Sequence, residues 1–182
     1  MKLFTKDLLI EAIEKADFQE FHDKQEFLEF ILPYKALIDI WEHCPRPDWM
    51  LWILRETDYR NDRQLRLFAV DCARQCECFN TKAAAELTAI AFRFACGEAS
   101  TREMDKVREK YSNLALTASW LGMKHGRIGA SRLLAVYETT HPDAFEAAIR
   151  VTRYSFSSAE GYAQEVLTKA LADKLKDLIE II

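Results

Sequence analysis

Three of the five cysteines crowd into seven positions, as Cys72, Cys76 and Cys78, while Cys44 and Cys96 stand apart. On a helix, Cys72 and Cys76 lie one turn apart, a spacing that could offer two thiolates to one metal. Cys78 falls about 120° off that face and cannot easily join them. No second cysteine pair completes a tetrahedral set. Phe68 and Phe79 bracket the pair at the same helical spacing, so we expect these thiols to pack as small buried hydrophobes. His43 beside Cys44 invites a nucleophilic reading. Helical neighbours point about 100° apart, however, and no oxyanion donors can be assigned around them. His22, His43, His125 and His141 form no H-E-x-x-H or other metal spacing. There is no G-x-S-x-G and no G-x-x-x-x-G-K. We expect no catalytic residues, no metal and no cofactor.

Two charged groupings suit binding rather than chemistry. Residues 1–58 carry 7 Lys/Arg against 13 Asp/Glu, whereas residues 59–182 carry 18 against 16. Asp39, Glu42, Asp48 and Glu56 in the acidic third, with Trp49 as anchor, are the expected partner-binding residues, because buried tryptophans and complementary charge govern interfaces. The alternative is a basic patch of Lys124, Arg127 and Arg132 with Arg150 and Arg153, which could neutralise phosphates. The turn before it suggests a helix-turn-helix, but Leu133, Leu134, Ala135 and Val136 follow where polar base-reading side chains should stand.

The elements that carry these residues read as helices throughout. With 49% hydrophobic and 30% charged residues, the 182-residue chain can bury a core. Only 5 glycines and 4 prolines argue against a turn-rich β fold. Thr5 caps a stripe of Leu8, Leu9, Ala12, Ile13 and Ala16. Phe27, Phe30, Ile31 and Tyr34 continue the spacing, and Leu37, Ile38 and Trp41 mark a short helix. Cys44-Pro-Arg-Pro-Asp48 must turn, with Pro47 at the first position of a helix that buries Trp49, Trp52 and Ile53. Leu65 to Phe79 form a longer helix. Thr81 caps another, which Gly97 stops, and Ser100 with Glu103 makes a capping box. Gly122, Gly126 and Gly129 either break the next stretch, or Gly122 and Gly126 form a small-residue stripe with Ala115, Ala118 and Ala130 for close helix packing. We prefer the break, since each glycine costs about 1 kcal/mol inside a helix. Pro142 and Asp143 start a further helix, and a last one from about Ser158 carries Leu167, Leu171, Leu175, Leu178 and Ile182. The sum is an all-α, single-domain bundle of seven to nine helices over residues 1–182, with an acidic subregion at about 1–58.

Residues 1–21 are amphipathic and acidic rather than signal-like, no run is apolar enough for a membrane span, and the odd cysteine count fits reduced thiols. The expected location is cytoplasmic, with no membrane contact.

Three segments carry a resemblance: Trp41-Glu-His-Cys-Pro-Arg-Pro-Asp-Trp-Met-Leu-Trp-Ile-Leu54, Arg66-Leu-Phe-Ala-Val-Asp-Cys-Ala-Arg74 and Phe94-Ala-Cys-Gly-Glu-Ala-Ser100. Over roughly residues 37–121 the chain resembles a diffuse family of helical, alanine-rich bacterial and phage proteins. That family includes predicted immunity proteins, which neutralise a toxin by binding it. The resemblance implies a non-enzymatic inhibitor whose partner is a protein, either a toxin or a host defence nuclease, with nucleic-acid contact weak at most. It carries over no catalytic residues.

Overall fold

Short-range chemistry sets most helix ends. Thr5, Thr81 and Asp143 each turn a side-chain oxygen onto a first-turn N–H, accepting from Leu8, Ala84 and Glu146. Ser100 and Glu103 close the expected capping box, the Ser100 N–H donating to Glu103 at 2.8 Å and the Glu103 N–H to Ser100 Oγ at 3.3 Å. At the other end of the preceding helix, Gly97 takes φ +76°, and the Gly97 and Glu98 N–H groups donate to the Phe94 and Arg93 carbonyls. This is a Schellman stop, and a residue with a Cβ would be strained there.

The computed structural model describes residues 5–16, 23–75, 81–125, 127–159 and 161–179, without the side chains at 121–128 and 162. These residues hold ten α-helices and no strand: α1 Lys6–Lys15, α2 Lys24–Ile31, α3 Leu37–His43, α4 Pro47–Glu56, α5 Asp62–Gln75, α6 Lys82–Ala95, α7 Thr101–His125, α8 Arg127–Glu138, α9 Ala144–Phe156 and α10 Tyr162–Leu178. The all-α expectation holds, but the helix number exceeds seven to nine. The short α2 and α3 stay separate across Leu32–Ala36, and α7 and α8 are distinct. Of the expected break at 122–129, Gly122 falls inside α7 and Gly129 inside α8, while residue 126 lies outside the described residues. Cys76, Cys78, Phe79 and Ile182 lie outside the described residues.

α5 and α9 form the central pair, with α6 and α8 packed against α5 and α4 packed on α9 and α10. One connected set of buried side chains runs from Leu9 in α1 to Ile179 after α10. Trp49, Trp52 and Ile53 are buried as expected, but Met50, Leu51 and Leu54 are buried too. α4 is therefore enclosed on all sides rather than amphipathic, because α1, α9 and α10 all pack on it.

Arginines tie the helices together at polar corners. Arg66 of α5 is only 4% exposed, with Phe94 stacked at 4.9 Å. It donates from Nη1 to the His141 carbonyl at 2.8 Å and from Nη2 to the Pro142 carbonyl. Burial holds its pKa below the usual arginine value against the pull of Asp62 and Asp143. Arg108 in the first half of α7 reaches the C-terminal end of α8, donating to the Tyr137 carbonyl at 3.3 Å and pairing with Glu138 at 3.4 Å. α7 and α8 thus run antiparallel. Glu86 of α6 pairs with Lys110 of α7 at 2.6 Å, and the Lys110 and Tyr111 hydrogen bonds lower the Glu86 pKa.

Candidate functional site

The segment from α2 to α4 supplies the acidic surface. Lys6 Nζ donates to the carbonyls of Leu32 at 2.8 Å and Tyr34 at 2.6 Å, shaping the α2–α3 turn from below. Leu32, at the end of α2, is 64% exposed. Asp39 accepts from the Ala36 N–H at 3.2 Å and so caps α3. Along α3, Ile40 and Trp41 turn inward and Leu37 is half-buried, which leaves Ile38 at 42% exposure and Glu42 exposed one turn later. Leu37, Ile38 and Trp41 mark this helix in the sequence, but Ile38 does not turn inward with the others. A seven-residue helix has room for one buried face, and positions 37, 40 and 41 fill it, with 38 about 200° from 40.

Only part of the expected acidic set is free to meet a partner. Asp48 is taken by Arg46, which binds it through Nη2 at 2.6 Å and Nε at 3.1 Å. The same guanidinium reaches Asp23 at 2.6 Å and Glu26 at 3.7 Å, and lies 4.6 Å from the Trp49 ring centre. Burial works against the Arg46 charge, but the hydrogen bonds and charge of Asp48 and Asp23 outweigh it and raise the pKa above the usual value. Glu56, half-buried at the far end of α4, sits 3.6 Å from Arg55. Trp49 is 2% exposed under Phe27 and Phe30, with ring centres 4.8 and 5.6 Å away. It cannot serve as a surface anchor. The structure carries Asp39, Glu42 and the exposed Ile38 on α3, with the exposed Leu32 at the end of α2.

Next to this face opens a groove of about 630 Å³. His43, Cys44, Pro45 and Arg46 make one wall, and α10 makes the other with Glu165, Lys169, Asp173 and Lys176. It gathers a histidine, a cysteine and carboxylates, so its chemistry matters. Cys44 is fully buried, and burial pushes its thiol up to about 12. Its Sγ–H donates to the Arg46 carbonyl at 3.4 Å. A thiol so protonated is no nucleophile near neutral pH. His43 stacks on Tyr34 at 5.2 Å and holds Nδ1 2.8 Å from the Asp39 carbonyl, which fixes the proton on Nδ1. Lys176 and Asp173 neutralise each other at 3.6 Å. Cys72 is fully buried in the core. Among the described residues no group of three or more His, Cys, Asp or Glu could hold a metal ion.

Two members of the basic grouping already have partners. Arg132 is half-buried and donates from Nη2 to the Ser158 carbonyl at 3.3 Å. Arg150 pairs with Glu146 at 2.9 Å, and that hydrogen bond raises its pKa. Arg153 is exposed on α9. The side chains of Lys124 and Arg127 lie outside the description. No described helix is long and apolar enough to cross a membrane.

No family model, curated protein or solved structure matches this chain.

Proposed function

We propose that this chain is a non-enzymatic, cytoplasmic protein-binding inhibitor, of the immunity-protein or phage-encoded anti-defence type. It covers a basic surface on a toxin or on a host defence nuclease. The observation that carries this reading is the outer face of α3, with Ile38 at 42% exposure and Glu42 exposed one turn later, together with Leu32 at 64% exposure at the end of α2, all in the acidic third of the chain. Apolar side chains supply desolvated contact, while net negative charge steers a basic partner into register and repels acidic ones. Asp39 contributes charge and holds α3 in place. Asp48 and Glu56 contribute long-range field rather than contact. The nucleic-acid reading draws on less, because Ser158 and Glu146 already occupy Arg132 and Arg150.

The test is affinity purification of the tagged chain from its native host at low salt. We expect one basic protein in near-stoichiometric yield, released as salt rises because steering charges are screened. Recovery of no stoichiometric protein would contradict the reading, and recovery of nucleic acid alone would favour the basic patch.

A further inference from the structure

α1 and α2 hold each other by their ends. Lys6, at the start of α1, donates from Nζ to the carbonyls of Leu32 and Tyr34, where α2 gives way to the turn, at 2.8 and 2.6 Å. Lys24, at the start of α2, donates to the carbonyls of Glu14 and Ala16 at the end of α1. The two helices are therefore antiparallel. At a helix C-terminus the last carbonyls lack partners of their own and the dipole favours a cation, so each lysine suits its place.

Only the Lys6 contact continues toward α3. Tyr34 is held by its carbonyl and by its ring. The ring centre lies 5.3 Å from that of Phe30 in α2 and 5.2 Å from that of His43, the last residue of α3. His43 keeps Nδ1 2.8 Å from the Asp39 carbonyl, one turn back, and the Asp39 carboxylate accepts from the Ala36 N–H two residues after Tyr34. Both ends of α3 are thus tied to the turn that Lys6 grips. α3 needs such ties, because seven residues are too few for a helix to stand by itself. Ile40 and Trp41 anchor it in the core, but they are neighbours and fix a point rather than a direction. We infer that Lys6, acting through Tyr34 and His43, is a positioning residue for the outer face of α3: it sets the angle at which Ile38 and Glu42 meet a partner. A face held in its bound geometry before contact loses less freedom on binding. This role presupposes the docking reading of α3, whereas the hold on α3 can be measured on the chain alone.

Amide hydrogen exchange of the full chain tests this. Lys6→Met keeps the apolar stem and removes the donor. It should speed exchange of the α3 amides from Ile40 to His43 about ten-fold, the size expected from losing a charged hydrogen bond. Tyr34→Leu, which removes the ring stack but keeps the carbonyl, should speed the same amides. Lys24→Met cuts the same kind of bond at the other end of the hairpin and should leave them as in the wild type, because the buried Leu9 and Ile13 keep α1 docked. Affinity for the protein that the wild-type chain captures should fall about ten-fold in Lys6→Met and stay unchanged in Lys24→Met. If the wild type captures no protein, the docking reading fails, while exchange still decides whether Lys6 positions α3. Exchange of α3 that Lys6→Met or Tyr34→Leu leaves unchanged overturns the proposal. So does an equal rise in Lys24→Met, which would mean a general loosening of the hairpin, or a partner affinity that Lys6→Met does not alter.

Discussion

The tryptophans divide between two regions that teach opposite lessons. In the corner where α2, α3 and α4 meet, Trp41, Trp49 and Trp52 are 3%, 2% and 6% exposed, whereas on the outer side of α7 Trp120 is 54% exposed. The local sequences look alike, each an aromatic on a helical repeat. What differs is the number of elements that reach the ring. Phe27 and Phe30 of α2 close over Trp49, and the Arg46 guanidinium lies against it. On α7, small alanines face the bundle and let α8 approach, so the large side chains are left outside. The corner uses its aromatics for stability, whereas Trp120 on α7 stays more than half exposed.

Substitutions can break this contrast. The largest effect is expected at the corner: Trp49→Ala or Phe27→Ala should cost about 3–5 kcal/mol in urea unfolding, because each leaves a cavity among buried rings. A loss below about 1 kcal/mol would mean that the corner is loosely packed.

Cys44, at the edge of the same corner, gives a pH test. Burial raises its folded thiol to about 12 from the ordinary 9.0. The folded state therefore keeps a proton that the unfolded state releases. That stabilisation is complete below about pH 9 and falls by ~1.4 kcal/mol per pH unit above it until the folded thiol ionises. Cys44→Ala should lose this component of the alkaline slope, measured as the difference between wild-type and variant unfolding from pH 8 to 11.

Arg46→Ala should cost less than the ring truncations, about 1–2 kcal/mol. The side chain is 25% exposed, and its partners Asp23 and Asp48 are 40% and 29% exposed, so water can replace part of the interaction. The difference from wild type should shrink in high salt. The smallest effect belongs to α7: Trp120→Ala should change monomer stability by no more than about 0.5 kcal/mol. A cost like that of Trp49 would place Trp120 in the core and erase the contrast.

Features decided by a few adjacent residues were legible in the sequence. Thr5, Thr81, Asp143 and the Ser100–Glu103 pair are caps because their oxygens reach a nearby N–H. Gly97 is a stop because only glycine sits easily at positive φ. Pro47 opens α4 because it needs no hydrogen-bond donor there. Features decided by tertiary packing were not legible. Ile38 matched an apolar repeat, yet Ile40 and Trp41 took the single face that α3 can bury. Asp48 read as a surface acid of the partner-binding set, but Arg46 folds back from two residues earlier and engages it. Of the candidate site, Asp39 and Glu42 could be placed from charge and spacing. Leu32 and Ile38 could not, since their exposure depends on which faces of α2 and α3 the bundle buries.

The central claim is that the outer face of α3 carries the biological work. The most direct measurement is side-by-side affinity capture from the native host with the wild-type chain and with an Ile38→Arg, Glu42→Lys variant of matched unfolding midpoint. The account predicts a stoichiometric protein on the wild type and its loss from the variant. A partner that both chains retain equally, or none on either, would contradict it.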